Sequence, residues 1–478
     1  MSVLDQLEPK GVFSFFEQLC SIPHGSKNTK TASDWIVSFA KERGLWCRQD
    51  DANNVVVKKT ASPGYESAAP VILQGHIDMV CEKAANCKKD MKTEGLDLAV
   101  DGDVVFARGT TLGGDDGIAA AMMLAVLDDD KLEHPPIEAV FTADEEIGLL
   151  GAAALDASVL EGRRLINIDS ENEGIFTVSC AGGARANCRI PVKRELFAGT
   201  ALRVTVDGLR GGHSGVEIDK GRANSNKLLG RVLYAVNSRC DVRICSVRGG
   251  MADNAIPVKS EAVLVGDGNA VRAAAKELCE QFKAEYRATD PDITVHVEPC
   301  EIDYAPMNKK GTEDTICFLL CCANGIFEMS ADIKGLVQTS LNLGVLNTED
   351  KYVKASFSVR SSIDSQKQML LSSLRCLTER LGGDMGVTGD YPGWAYRAES
   401  PLRDLMAKVF TEQYGHEPKI EAIHAGLECG LFAGKLAELD CISIGPDMED
   451  IHTPSEKLHI ASTRRTWELV KETLRRMK

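Results

Sequence analysis

At 478 residues the chain is longer than one hydrophobic core normally organises, so two domains, or one domain carrying a large insertion, are expected. Acidic residues outnumber basic ones 70 to 55, a formal charge of -15; this argues against nucleic acid or anionic membrane as the main partner and favours small or cationic ligands, metal ions included. The 16 cysteines are scattered through apolar segments (Cys180, Cys245, Cys376, Cys441) and read as reduced and mostly buried, not as a disulfide framework.

The opening MSVLDQLEPKG has no basic region followed by an apolar one, and the longest apolar run, GIAAAMMLAVL, falls short of the roughly 20 residues of a membrane span. A cytoplasmic protein with no membrane partner is expected. Over residues 1–182, β-rich runs alternate with helical patterns: ASDWIVSFAKERG, APVILQGHID, GIAAAMMLAVLDD, IEAVFTADEE and RLINIDS. This alternation predicts an α/β sheet covered by helices.

The character changes after SCAGGARANCRIPV. Residues 183–391 offer alternating strands such as LRVTVDGL and YVKASFSVRSS, and two amphipathic helices. One helix aligns Val271, Ala275, Leu278 and Phe282; the other aligns Leu370, Leu374, Leu377 and Leu381, with Gly382 as its stop. This section reads as a separate α+β domain, open to a division into two similar halves although no sequence repeat proves one. Over residues 392–478 the helix-and-strand alternation returns with PLRDLMAKVFTEQYG, CISIGP and a terminal helix containing Trp467, Val470 and Leu474. CISIGP most simply rejoins the first sheet, which makes the middle domain an insertion.

The chemistry-bearing residues sit where apolar runs end: His76 and Asp78 in VILQGHIDMVCE, Asp115 and Asp116 in TLGGDDG, Asp144, Glu145 and Glu146 in FTADEEIG, Asp169 in INIDSENEG, and His452 in EDIHTPSE. In an open α/β sheet ligands bind beyond the carboxyl ends of the strands, so these segments can converge. Carboxylates mixed with imidazole suit Zn²⁺ or Mn²⁺. Seven carboxylates in one cleft would repel strongly, no Lys or Arg lies beside them in these segments, and divalent cations would remove the repulsion. Each piece also has a plain alternative: Asp115 and Asp116 could cap the helix that follows, the acids of ADEE could lie in a solvated loop, and a lone histidine is commonly structural. Those alternatives leave unexplained why so many strand ends finish in ligand types.

The segments GHIDMV, TLGGDDGI, ADEEIG, INIDSE, RGGHSG and IHTPSE stand in the order found in the two-zinc exopeptidases and deacylases, a family that includes aminoacylase, peptidase T, peptidase V and carnosinase. SIPHGSKN and HAGLECG make the chain resemble the aminoacyl-histidine (cytosolic non-specific) dipeptidase branch over essentially its whole length. The resemblance implies a zinc-exopeptidase-like catalytic domain, with a mixed central sheet flanked by helices, and an inserted α+β, ferredoxin-like lid domain. It implies two divalent ions per subunit, zinc foremost with manganese or cobalt as alternatives. Asp115 would bridge them, often with a cis peptide following it; His76 and Asp169 would complete one site, Glu146 and His452 the other. Asp116 would support.

Asp78 would then accept the other N–H of the His76 ring and fix its orientation. Glu145, pointing opposite to Glu146 along an extended segment, would act as general base. The resemblance also implies that His213, in GLRGGHSGVEID, donates to the oxyanion from the lid, within its own chain or across a homodimer formed through that domain. Arg360 in SFSVRSS would anchor the substrate carboxylate, and Asn254 in MADNAIP would lie near it. Gly426 would shape the substrate loop, while His424 and Glu428 receive no role. The expected activity is hydrolysis of unblocked dipeptides, Xaa-His among them. An N-acyl amino acid deacylase and an inactive metal-binding homologue are the alternatives. There is no P-loop, no dinucleotide fingerprint and no paired CxxC set, and GHSG does not have the spacing of a serine-hydrolase elbow.

Overall fold

A computed structural model describes residues 2–478. The chain forms two compact units, one built from the chain up to Ser179 with Tyr396–Ala422 and Leu427–Lys478, the other from Cys180–Ala395 with Ile423–Gly426. The short return at 423–426 puts His424 and Gly426 in the second unit.

The first unit is organised by an eight-stranded mixed sheet. Strands Val71–His76 and Ile137–Thr142 lie in its interior, run parallel with His76 beside Thr142, and are buried at every residue. Burial on both faces is why neither shows an apolar–polar alternation. Val71–His76 also runs parallel to Arg164–Asn167, which pairs in parallel with Asp440–Ser443, so CISIGP does return to this sheet. Antiparallel pairing of Trp46–Gln49, Val55–Lys59 and Ile175–Cys180 makes the sheet mixed. Helix Gly114–Asp128 is buried from Gly114 to Leu127 and packs on helix Lys10–Cys20 and strand Val71–His76. A helix apolar on all sides has no face to offer water. A four-stranded sheet of Leu98–Asp101, Val104–Ala107, Met448–Glu449 and Lys457–His459 frames the loop that carries His452.

The second unit is a nine-stranded sheet with its own apolar core. Its topology resolves into two halves. Thr200–Asp207, helix Ser225–Asn237, Arg243–Gly249, Ser260–Gly266, helix Gly268–Glu285 and Thr294–Pro299 follow the order strand, helix, strand, strand, helix, strand. Gly182–Pro191, helix Lys309–Cys321, Val337–Thr348, Tyr352–Ser361, helix Asp364–Arg380 and Asp384–Tyr391 repeat that order, with the first half inserted after the first strand. In each half the fourth strand lies outside the first, and the third lies between first and second, so both are ferredoxin-like. Arg243–Gly249 and Val337–Thr348 join the halves, Gly249 opposite Leu346. The two predicted amphipathic helices bury the expected stripes, including Val271, Leu278 and Phe282 in one and Leu370 and Leu374 in the other, and Gly382 follows the second at φ 79°.

Candidate metal centre

Parallel strands point their carboxyl ends to one edge, and the first unit uses that edge. His76 ends its strand, Asp169 lies two residues past Asn167, and Glu145 and Glu146 follow Thr142 in a loop. Asp115 opens the buried helix, and its peptide bond to Asp116 is cis. His452 adopts φ 61°, a left-handed conformation uncommon outside glycine and enriched at functional loops.

These side chains meet. Asp115 turns Oδ1 to Nε2 of His76 at 3.0 Å and Oδ2 to Nε2 of His452 at 3.2 Å. Asp169 Oδ1 is 3.6 Å from His76 Nε2, and Glu146 Oε1 is 2.9 Å from His452 Nε2. Donor atoms of Asp115, Glu146 and His452 lie within 4.8 Å of one another, as do those of His76, Asp116 and Asp169, and those of His76, Glu145 and Glu146. The last grouping corrects the expectation that Glu145 and Glu146 point opposite ways: Asp144 takes φ 55°, the segment ceases to be extended, and both carboxylates face the same region.

The electrostatics are those of a site short of positive charge. Among the described residues no Lys or Arg pairs with Asp78, Asp115, Glu146 or Asp169, whose ion-pair partners are the two histidines. Burial opposes charge on the His76 ring, yet hydrogen bonds to Asp115 and Asp78 and the charge of Asp169 hold it well above its ordinary value. Hydrogen bonds to Asp115 and Glu146 push His452 up to about 10. Burial drives Asp169 and Asp116 well above the usual carboxylate range, and burial together with Glu428, Glu146 and Asp115 pushes Glu145 up to about 8 against the influence of His76. Protons held this tightly stand where cations would neutralise the same acids. One Asp116 oxygen, Oδ1, is buried without a hydrogen-bond partner. The donor set therefore fits divalent metal.

Neighbouring groups hold these donors in place. Nδ1 of His76 lies 3.0 Å from the main-chain oxygen of Asp78 and 3.4 Å from its carboxylate. The ring is thus oriented chiefly through the backbone. The Asp78 carboxylate also serves the loop, accepting the Ser26 hydroxyl at 2.8 Å and the amides of Glu145 and Glu146 at 3.0 and 3.4 Å. Glu456, in the same HTPSE segment as His452, accepts the amides of Leu112, Gly113, Gly114 and Asp115 at 2.7, 3.2, 2.8 and 3.4 Å, gripping the turn that presents Asp115. The sequence reading gave it no role; its one sequence signal is an acid four residues after His452 in the same motif. Gly75 has no room for a side chain, because a Cβ there would lie 2.5 Å from the Asp116 carboxylate and 2.6 Å from Ala119. Glu428 accepts from Gln74 at 2.5 Å and Thr142 at 2.7 Å, its other oxygen buried and unpartnered, and burial pushes it up to about 7. A cavity of about 660 Å³ beside Glu146 is lined by Ser26, Lys27, Met79, Cys81 and Met91.

His213, Asn254 and Arg360 lie in the second unit. His213 Nδ1 accepts the amides of Gly215 and Val216 at 3.3 and 3.2 Å, so the ring proton resides on Nε2 as a free donor. Burial and Arg360 lower its pKa against the pull of Glu217, which favours the neutral ring. Asn254 is exposed, and its carbonyl accepts the Ser214 amide at 2.8 Å. With His213 it lines a cavity of about 970 Å³ that also includes Met251, Ile256 and Val258. Arg360 is 9% exposed.

Fold and donor set together define a class, peptide hydrolases built on an α/β sheet with an inserted α+β domain. The model of peptidase family M20/M25/M40 matches residues 72–476, and the chain belongs to that family. It is 37% identical to the cytosol non-specific dipeptidase of Escherichia coli (strain K12) over 99% of both chains. It superposes on the aminoacylhistidine dipeptidase of Vibrio alginolyticus with a TM-score of 0.94 and 36% identity, covering 98% of this chain and 97% of that one. Aminopeptidase PepT of Bacillus cereus shares the fold at a TM-score of 0.57 and 15% identity.

Proposed function

We propose that this peptidase hydrolyses unblocked dipeptides, Xaa-His among them, with two divalent metal ions held by the first unit. The observation that carries the reading is Asp115, whose two carboxylate oxygens address two different histidines, each with its own further acid. His76 and Asp169 would hold one ion and Glu146 and His452 the other, with Asp115 a ligand available to each; zinc suits this mixture of imidazole and carboxylate, with manganese and cobalt as alternatives. Bound there, the pair supplies Lewis acidity toward the scissile carbonyl and lowers the pKa of the attacking water.

Glu145 takes the proton of the attacking water and returns it to the departing amine. Its grouping with His76 and Glu146 supports that role, as does a pKa raised toward the working range. The Asp78 carboxylate, bonded to the Glu145 and Glu146 amides, keeps base and ligand in register. From the second unit, the Nε2–H of His213 is a preformed donor for developing negative charge, Asn254 lies beside it, and Arg360 takes the substrate carboxylate. A cytoplasmic setting agrees with the free cysteines, and a homodimer through the second unit is part of the proposal.

The test is hydrolysis of Ala-His and of N-acetyl amino acids by one preparation, before and after chelation, with Glu145→Gln alongside. Ala-His is cleaved, chelation abolishes cleavage, and Glu145→Gln keeps its metal while turnover falls by about 10²- to 10⁴-fold. Cleavage that survives thorough metal removal, or preference for the N-acetyl substrate, overturns the reading.

A further inference from the structure

Arg360 is a buried cation that has no ion-pair partner among the described residues. It sits on strand Tyr352–Ser361 opposite Ser340 on one neighbouring strand and Gly183 on the other. Its Nε is buried with no hydrogen-bond partner, and among the described residues it makes no ion pair. A guanidinium withdrawn from water without a carboxylate is costly unless a ligand supplies one.

Its neighbours are arranged to hold it. Tyr391 and Arg360 stand opposite Gly183 on the two strands that flank it, and the Arg360 charge acts on the Tyr391 hydroxyl. The Tyr391 ring is wedged between two glycines: a Cβ on Gly183 would lie 2.6 Å from it, and one on Gly426 2.9 Å. On the opposite strand, the Ser340 hydroxyl meets Nε2 of His424 at 2.7 Å. At Gly215 the His424 carbonyl, the His213 ring and the Arg360 guanidinium converge so closely that a Cβ would stand 2.7, 2.9 and 3.2 Å from them. Burial, with Arg360 and His213, lowers His424 to about 3, and burial with Arg360 lowers His213 against the pull of Glu217, so of the side chains that meet at Gly215 only Arg360 is a permanent cation. One fixed positive charge balances one carboxylate.

We propose that Tyr391, and His424 bonded to Ser340, are positioning residues that hold Arg360 for a single carboxylate, the free C-terminal carboxylate of the peptide. The proposal deepens, and rests on, the dipeptidase reading. It explains why HAGLECG carries both His424 and Gly426: the histidine braces one side of the arginine, and the glycine makes room for the tyrosine on the other.

The test uses the metal-loaded full-length protein and compares kcat and KM for Ala-His with those for its C-terminal amide. Tyr391→Phe and Gly426→Ala each reduce the preference for the free acid about tenfold, through KM and not kcat, the scale of one lost hydrogen bond to a charged group. His424→Leu does the same, and His424→Gln, which can still bond Ser340, restores the preference. An unchanged acid-to-amide preference in folded Tyr391→Phe, or an equal fall in kcat for both substrates, overturns the proposal and leaves the dipeptidase reading standing. If the wild type cleaves no dipeptide, the reading fails separately, and calorimetric binding of histidine against histidinamide to the same proteins decides. Discrimination lost in Tyr391→Phe supports the carboxylate pocket; none in the wild type ends it.

Discussion

Asp115 divides its two oxygens between His76 and His452, residues separated by most of the chain. Such a carboxylate is worth its burial only with positive charge on both sides. Glu428 shows the opposite case, a buried acid with two hydrogen bonds and an unpartnered oxygen. Its pKa rises in the fold from 4.5 to about 7 through burial. A raised value means that its contribution to stability is complete below about pH 4.5 and is lost as the pH climbs through about 7. Glu428→Gln removes that loss while keeping an acceptor for Gln74 and Thr142. The variant therefore unfolds at a higher temperature than wild type near pH 8, by on the order of 2 kcal/mol, with the advantage shrinking toward pH 5. A difference that stays constant over this range in thermal melts contradicts the assignment. Sequence showed a glutamate in HAGLECG but not its burial, which depends on a helix from one end of the chain packing on strands from the other.

At the scale of elements, the ligands were legible because strands announce themselves: apolar runs of the length of Val71–His76 and Ile137–Thr142 stop at a polar residue, and parallel strands stop on the same side. The loops were less legible. Asp144 at φ 55° turns Glu145 and Glu146 to the same region, and the preceding alternation of side chains gave no hint of it. The turn before helix Gly114–Asp128 is held by Glu456 across more than 340 residues of sequence, where Gly113 takes φ 68°. Glu456→Gln leaves one acceptor oxygen for four amides and points an N–H₂ at the rest. It lowers stability by about 2–5 kcal/mol and weakens metal binding about 10- to 100-fold. Melting curves and metal titration read both effects; metal affinity equal to wild type would show that the grip on this turn does not place Asp115.

For the whole molecule, the candidate ligands all belong to the first unit although they come from five separate segments. Metal binding to the folded state then stabilises that unit by mass action, about 4 kcal/mol at a thousandfold excess over Kd. Chelation is expected to strip amide-exchange protection from the first unit's sheet, including Val71–His76, while the ferredoxin-like halves, with a separate core, keep theirs. Equal loss in both units, or in neither, would contradict a metal held by His76, Asp115 and His452.

Sequence by itself determined the elements, the inserted α+β section and the chemical types at the strand ends, because periodicity and residue chemistry are local properties. The tertiary structure alone decided which oxygen of Asp115 meets which histidine, that the Asp78 carboxylate reaches the loop as well as the ring, that Glu456 grips the Asp115 turn, and that Tyr391 and the Ser340–His424 pair lie around Arg360. Those are pairings between residues far apart in the chain, set by strand register and by the few ångströms that glycines at positions 75, 183 and 426 leave open. Neither quantity is written in any short stretch of residues.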